Sequence, residues 1–389
     1  MNEPDNTPAT GSLPDMQQLL TVIRTMVGEV HPHWKNLHFT ADTHLERELG
    51  LDSMARVELH TRIESSLGVT LDTGMAVCAT TPNILMQLIQ HGANGTAEVN
   101  RESNRIAAAD SDASELLMGS FGQTEHPAEV VQRHSPGDWA YALYCWTVFA
   151  VLGLGTWLAV VLAPFASWRR KLAHIGAKWF FRLTFTPLRV TGTEYLDPEQ
   201  PHIIVANHAS YLDGFIITAA LDLSIHFIVK GELARNLPAR LLLQRFGVEF
   251  VDRLNSNKAV SDVNRIAEKS KAGQTIVFFP EGTFTTVPGL QPFRMGAFVT
   301  AVRTGVPVTP VAIRGARSII RGHNWFPGRG RIEVTIRPPV MPSGKGWQVA
   351  LDLRDAARVE IANYCGEPDL VEGTGAQDVP GLRGASITM

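Results

Sequence analysis

The chain has 389 residues, a formal charge of -3 at neutral pH, and 44% hydrophobic against 19% charged residues. At about 100 to 200 residues per domain such a length predicts two or three units rather than one core. Near-neutral charge argues against a nucleic-acid binder acting through a basic surface. Three widely spaced cysteines, Cys78, Cys145 and Cys365, argue against a disulfide framework or a zinc site, so no metal is expected and a reducing, cytosolic setting is the default.

Residues 1–14 lack the basic and apolar regions of a secretory signal and read as a disordered lead-in. Leu19, Leu20, Val22, Ile23, Met26, Val27 and Val30 then recur at helical spacing after Pro14-Asp15. A second helix follows Asp52-Ser53, carries Met54, Val57, Leu59, Ile63 and Leu67 inward, and stops at Gly68. A third begins at Thr81-Pro82. Residues 15–94 thus form a helical unit without a strand pattern. Residues 95–137 lose periodicity, are rich in small and polar residues, and read as a flexible linker.

Residues 139–168 contain no charged side chain, and Arg169-Arg170-Lys171 follow at once. A run of this length exceeds the roughly 20 residues that cross a bilayer. Gly153 and Gly155 divide it and Pro164 follows, which keeps a re-entrant hairpin open beside a full span. Residues 172–183 mix Ile175, Trp179, Phe180 and Phe181 with Lys178 and Arg182, the pattern of a helix lying on a membrane surface. Residues 138–188 are therefore read as membrane-associating helices.

From 189 to 345 short Val, Ile and Phe runs alternate with helical stretches, the pattern of an α/β domain. The strands are expected at 202–206, 226–229, 248–251, 275–279, 308–313 and 332–336. Helices over 258–271 and 294–303 close at Gly273 and Gly305. Residues 346–389 read as a C-terminal helix and a disordered tail beyond about Gly366.

In such a sheet the chemistry collects in loops leaving strand ends. Four loops carry unusual residues: Asn207-His208-Ala209-Ser210-Tyr211-Leu212-Asp213, then Gly247 to Arg253, then Phe278-Phe279-Pro280-Glu281-Gly282-Thr283, then Val306-Pro307-Val308-Thr309-Pro310-Val311. A histidine takes a proton from a hydroxyl near neutral pH, and an aspartate on its other ring nitrogen fixes the tautomer. Structural alternatives stand beside this: Asp213 as a helix cap, Arg253 on the surface, Pro-Glu-Gly as a plain turn.

Together the four blocks resemble the glycerolipid acyltransferase family that includes the 1-acylglycerol-3-phosphate acyltransferases (PlsC-like). The resemblance implies His208 as general base on the acceptor hydroxyl and Asp213 as its orienting partner. It implies Asn207, Lys230, Arg253, Glu281, Gly282, Thr283 and Arg294 as the substrate-binding set, and Val306-Pro307 as part of an acyl pocket. Phe284 stands where the family usually has arginine, so the resemblance leaves the acceptor open between a lysophosphatidate and another alcohol, such as an amino-acid-derived lipid. Backbone N–H groups near the loop or the helix start are expected to hold the oxyanion. No Gly-x-Ser-x-Gly elbow is present, so direct transfer is favoured over an acyl-enzyme.

Leu49-Gly50-Leu51-Asp52-Ser53-Met54 opens the second helix. Taken alone, Asp52 or Ser53 is an ordinary helix cap. The stretch nevertheless resembles an acyl carrier protein, which implies a four-helix bundle with 4'-phosphopantetheine on Ser53. Arg56 and Arg62 depart from the acidic helix usual in carriers. The expected partners are membrane lipids, an acyl-ACP or acyl-CoA donor, a phosphopantetheinyl transferase and an acyl-loading ligase or synthase. About 40 linker residues span roughly 35 Å, enough for delivery in cis at about millimolar effective concentration. The carrier must meet a cytosolic modifying enzyme and the basic cluster faces the cytosol, so a monotopic or re-entrant anchor on the cytoplasmic face is expected. A non-catalytic membrane carrier scaffold is the rival reading.

Overall fold

The computed structural model describes residues 14–34, 37–71, 79–91, 135–230, 237–245, 248–251, 256–282, 288–320 and 326–370. The chain forms two compact units, Met1–Ala128 and Glu129–Met389.

In the first unit α1 (Met16–Val30) starts at Asp15, whose backbone and side chain form a capping box with Gln18. Helix α2 (Ser53–Leu67) starts at Asp52 and ends at Gly68, which takes the left-handed conformation at φ 65° that a side chain disfavours. Helix α3 (Pro82–His91) has proline at its first position, where no N–H is needed. Leu19, Ile23, Met26, Leu45, Leu49, Leu51, Leu59, Ile63 and Leu85 are buried together as its core. Burying each such side chain contributes about 1.5 to 3 kcal/mol, which is what holds short helices in place. Four helices were expected; three α-helices are present among the described residues.

The second unit opens with a helical hairpin, α4 (Pro136–Leu162) and α5 (Ala166–Leu183). Gly153 and Gly155 do not divide the apolar run as expected. They lie inside a continuous helix, because each interior glycine costs only about 1 kcal/mol. The chain reverses at 163–165, around Pro164. The helices approach closely at Gly176, where a Cβ would stand 2.4 Å from Oγ1 of Thr156. Helix α5 returns to the level at which α4 began: the hydroxyls of Tyr141 and Tyr144 donate to the carbonyls of Thr184 and Leu183, both at 2.9 Å. Trp139, Leu143, Val151, Leu154, Leu158, Leu162, Phe165, Trp168 and Trp179 are exposed on the hairpin. By length and composition α4 is able to cross a membrane.

Seven strands follow among the described residues: β1 (Leu188–Thr191), β2 (Ile203–Ala206), β3 (Ile225–Lys230), β4 (Glu249–Val251), β5 (Thr275–Phe278), β6 (Val308–Arg314) and β7 (Ile332–Ile336). Their order is β1-β7-β6-β2-β5-β3-β4, parallel throughout except for the β6–β7 pair. Strand β1 was not expected, because four residues with two polar ones carry too short a pattern. Every residue of β2 is buried, as a central parallel strand requires. Helix α6 (Asp213–Ala220) links β2 to β3, and α7 (Leu237–Arg245) and α8 (Ser256–Lys271) follow on the way to β5. Helix α9 (Gly296–Thr304), capped by Gly305 at φ 71°, leads to β6, and α10 (Ala316–Ile319) follows that strand.

The connections from β2 and β5 leave in opposite directions, so right-handed crossovers put α6 and α9 on opposite faces. The C-terminal ends of β2 and β5 therefore flank the point at which the strand order reverses, the usual ligand position in such sheets. Helix α11 (Trp347–Cys365) packs along β6 and is part of this unit. The expected disorder beyond Gly366 is corrected over 366–370. These residues are ordered against Leu290, since Glu367 and Asp369 meet Arg317 and Arg358. Residues 371–389, the lead-in 1–13 and linker residues 92–134 lie outside the described residues.

Candidate active site

His208 leaves β2 two residues beyond the strand, and Asp213 is the first residue of α6. Nδ1 of His208 lies 2.7 Å from Oδ2 of Asp213. The same oxygen accepts the backbone N–H groups of Ala209 at 2.7 Å and Ser210 at 2.8 Å. Asp213 is fully buried and its Oδ1 has no hydrogen-bond partner among the described residues. The carboxylate is turned back onto the loop rather than onto its own helix, so the capping alternative does not describe it. A buried carboxylate accepting Nδ1–H leaves the lone pair on Nε2, and the His208 side chain retains 21% exposure. The ring stacks on Phe279, with centroids 4.6 Å apart. Phe279 was part of a quoted motif without being assigned a role.

The backbone of His208 is fixed by a second carboxylate. Its N–H donates to Oε1 of Glu281 at 2.6 Å, and Gln291 N–H donates to Oε2 at 2.9 Å. Glu281 is buried, and desolvation pushes its carboxyl up to about 7. The two backbone bonds and the Arg358 charge oppose the rise, while Asp213 adds to it. Asn207, also buried, pairs both ends of its amide with the backbone of Ile313 in β6, at 2.9 and 2.7 Å. It ties the loop to the sheet.

The expected oxyanion donors are corrected in part. The N–H groups of His208, Ala209 and Ser210 are already taken by Glu281 and Asp213. A donor for the oxyanion has to come from outside 208–210. The Val306-Pro307 pair is also not beside His208. Strands β2 and β6 are parallel and Val308 pairs with Ile203, so residues before β6 lie at the sheet edge opposite the His208 loop. At about 3.3 Å per residue this is on the order of 15 Å away.

Gly282 sits in the turn after Glu281 at φ 79°, its N–H donating to the Phe279 carbonyl. Arg294 is exposed, and its N–H donates to the Pro280 carbonyl at 2.9 Å, which places it at the same end of the sheet. Lys230 is the last residue of β3, at that end as well. Arg253, Thr283 and Phe284 lie outside the described residues.

In the first unit Ser53 is the first residue of α2 and half-buried, and its hydroxyl makes no hydrogen bond among the described residues. The adjacent cap is supplied by Asp52, whose side chain accepts Ala55 N–H at 2.8 Å. A phosphodiester on Ser53 would meet the positive end of the helix dipole, so the residues present fit phosphopantetheine. Arg56 and Arg62, which depart from the carrier pattern, are paired within the unit, Arg56 with Glu46 at 3.2 Å and Arg62 with Glu29 and Glu58 at 2.9 and 3.0 Å. No cluster of His, Cys, Asp and Glu suited to a metal occurs among the described residues.

Comparison with known proteins bears on both units. Residues 187–314 match the model of the Acyltransferase family, and residues 19–89 match that of the phosphopantetheine attachment site. The chain is 31% identical over 203 residues to a chloroplastic 1-acyl-sn-glycerol-3-phosphate acyltransferase of Brassica napus, covering 51% of this chain and 57% of that protein. It is 30% identical over 176 residues to the alpha form of the same enzyme in Mus musculus, covering 45% and 61%. The chain thus spans little more than half the length of these relatives. The crystal structure of the acyltransferase PlsC from Thermotoga maritima shares the fold, with a TM-score of 0.50 at 24% identity over 58% of this chain and 95% of that one. The chain therefore joins a phosphopantetheine-attachment carrier domain to an α/β domain of the Acyltransferase family.

Proposed function

We propose that the chain transfers a fatty acyl group from a thioester to the hydroxyl of a lysophospholipid-type acceptor at a membrane surface, with its own carrier domain as a donor in cis. The observation that carries this reading is the His208–Asp213 pair, held at 2.7 Å with the ring partly exposed at the C-terminal edge of the sheet. The names of the relatives support a 1-acylglycerol-3-phosphate-like acceptor.

His208 Nε2 takes the acceptor O–H proton as that oxygen attacks the thioester carbonyl. The C–O bond forms, the C–S bond breaks, and the leaving sulfur takes up the proton from His208. Asp213 stabilises the imidazolium between these events and holds the ring in its tautomer. Glu281 and Asn207 hold the loop, while Lys230, Arg253, Gly282, Thr283 and Arg294 bind the acceptor's phosphate end. Phosphopantetheine, when attached to Ser53, supplies the thiol on which an acyl group is carried. Delivery from coenzyme A or a separate carrier uses the same His208 chemistry. The exposed apolar faces of α4 and α5, both ends of which return to the α/β core, support a hairpin anchor with both domains on the cytoplasmic side.

The test uses the full chain in lipid vesicles, supplied with a free acyl-CoA and a lysophosphatidate, and follows product by mass. His208→Ala is expected to lose roughly 10² to 10⁴ of the rate. Ser53→Ala is expected to abolish phosphopantetheine attachment while keeping acyl-CoA activity. Equal rates with and without His208 would identify a carrier scaffold instead.

A further inference from the structure

The C-terminal end of the α/β unit is tied to the catalytic loop through a continuous series of polar contacts, most of them part-buried. Arg358, on α11 and largely buried, donates to the carbonyls of Gln291 at 2.6 Å and Leu290 at 2.9 Å, and its Nε lies 3.1 Å from Asp369. Its guanidinium also stacks over Phe293, 4.9 Å from the ring centroid. Beyond the helix, residues 366–370 form a strap along Leu290: Leu290 N–H donates to Pro368 at 2.8 Å, and Asp369 bridges Leu290 in parallel. Glu367 accepts Gly289 N–H at 2.6 Å and Arg317 Nε at 2.7 Å. Gly289 adopts φ 143°, and a Cβ there would stand 2.4 Å from Leu370, so only glycine admits the strap this close. Gln291, two residues beyond Gly289, gives its N–H to Glu281, and Glu281 receives the N–H of His208.

We propose that Arg358, with the Glu367 and Asp369 strap, is a positioning residue for His208, acting through the 289–291 segment and Glu281. The inference rests on His208 as the base. The physical reason is the division of labour in the loop. Asp213 fixes the imidazole ring, but the backbone that carries it is held by one Glu281 oxygen, and the other oxygen is held by a segment without regular structure of its own. Two forked donors and one carboxylate from the C-terminal end supply the rigidity that segment lacks, and a loss of about 1 Å in the base's position is enough to cost on the order of 10²-fold.

The charged and titratable groups coupled to Glu281 are Asp213 from α6, Arg358 and Cys365 from α11, and the His208 loop itself. Arg358 lowers the Glu281 pKa, so removing its charge lets the carboxyl keep its proton to higher pH, and a protonated carboxyl accepts one N–H bond less well. Arg358→Gln in the full chain is therefore expected to lower kcat roughly 10- to 100-fold with KM within about twofold, and to move the acid limb of the kcat profile up by about half a unit or more. Arg358→Lys keeps the charge without the fork: the limb stays in place and only kcat falls. Glu367→Gln, a milder change that keeps one bond to Gly289, lowers kcat several-fold in the same direction.

Hydrogen exchange on the same proteins supplies a readout that does not need turnover. Arg358→Gln is expected to speed exchange of the His208 amide about tenfold, with the amides of β6 unchanged. An active wild type whose Arg358→Gln variant keeps its kcat, acid limb and His208 exchange overturns the proposal. An inactive wild type overturns the acyltransferase reading, and the His208 amide then decides the positioning link by itself.

Discussion

Two helix starts in this chain use the same residue type in opposite ways. Asp52 precedes α2 in an extended conformation and turns forward, accepting the N–H of Ala55. Asp213 begins α6 and turns backward, accepting the N–H groups of Ala209 and Ser210 and the ring nitrogen of His208. The first aspartate satisfies its helix, and the neighbouring Ser53 hydroxyl is unengaged among the described residues. The second gives nothing to its helix and organises the loop in front of it. An aspartate at a helix start is thus a stability element in one unit and an orienting group in the other, and only its direction distinguishes the two.

The sharpest way to break the contrast is Asp213→Asn. The amide can still turn its oxygen to the three N–H groups that Oδ2 accepts, but it carries no charge to stabilise the His208 imidazolium and buries an NH2 where Oδ1 has no partner among the described residues. The kcat is therefore expected to fall roughly 10²- to 10³-fold while the acyl-CoA KM moves little. Steady-state kinetics checks it, and a change below tenfold would remove Asp213 from the mechanism.

Next comes Glu281→Gln, which probes the second carboxylate of the loop. Its folded pKa lies above the ordinary value of 4.5, at about 7, so the folded state binds the proton more tightly than the unfolded one. The stability of the α/β unit should then fall as pH rises from about 4.5 to about 7, by up to about 3 kcal/mol from this group. The wild-type minus variant difference in chemical denaturation at pH 5 and pH 7 isolates that slope. A difference that does not change with pH would refute it.

Asp52→Ala is the smallest effect. Losing the cap should cost the carrier unit about 1 kcal/mol and leave phosphopantetheine attachment in place, read as a lowered Tm with an unchanged modified mass. Failure of attachment in a folded variant would show that Asp52 serves Ser53 as well as its helix.

Much of the fold was legible along the chain. The three described helices of the carrier unit begin and end where Asp15, Asp52, Thr81-Pro82 and Gly68 predict, and six of the seven strands lie where apolar runs were found. The missed strand, β1, has four residues and is an edge, too short to carry a period. The reading of Gly153 and Gly155 as dividers went wrong because an apolar helix absorbs two glycines more easily than it absorbs Pro164. Within the site, His208, Asp213 and Glu281 were all visible as residues. The engagement of both Glu281 oxygens by backbone, and of Asn207 by Ile313, was not, since His208 and Ile313 lie far along the chain from their partners and Gln291, though only ten residues from Glu281, is in a segment without a repeating pattern. Arg358 left no signal at all, because an arginine in a C-terminal helix looks like any solvated one until its carbonyl partners are known.

The sequence by itself determined which residue types stood at each strand end and helix start, because local pattern and capping chemistry act over a few residues. The direction of Asp213 rests on partners three to five residues before it, a choice that the spacing permits and the folded loop makes. The tertiary structure alone decided which end of the sheet Val306-Pro307 occupies and how residues 358–370 reach His208, because those depend on strand order and on contacts across 68 or more positions that no local spacing encodes.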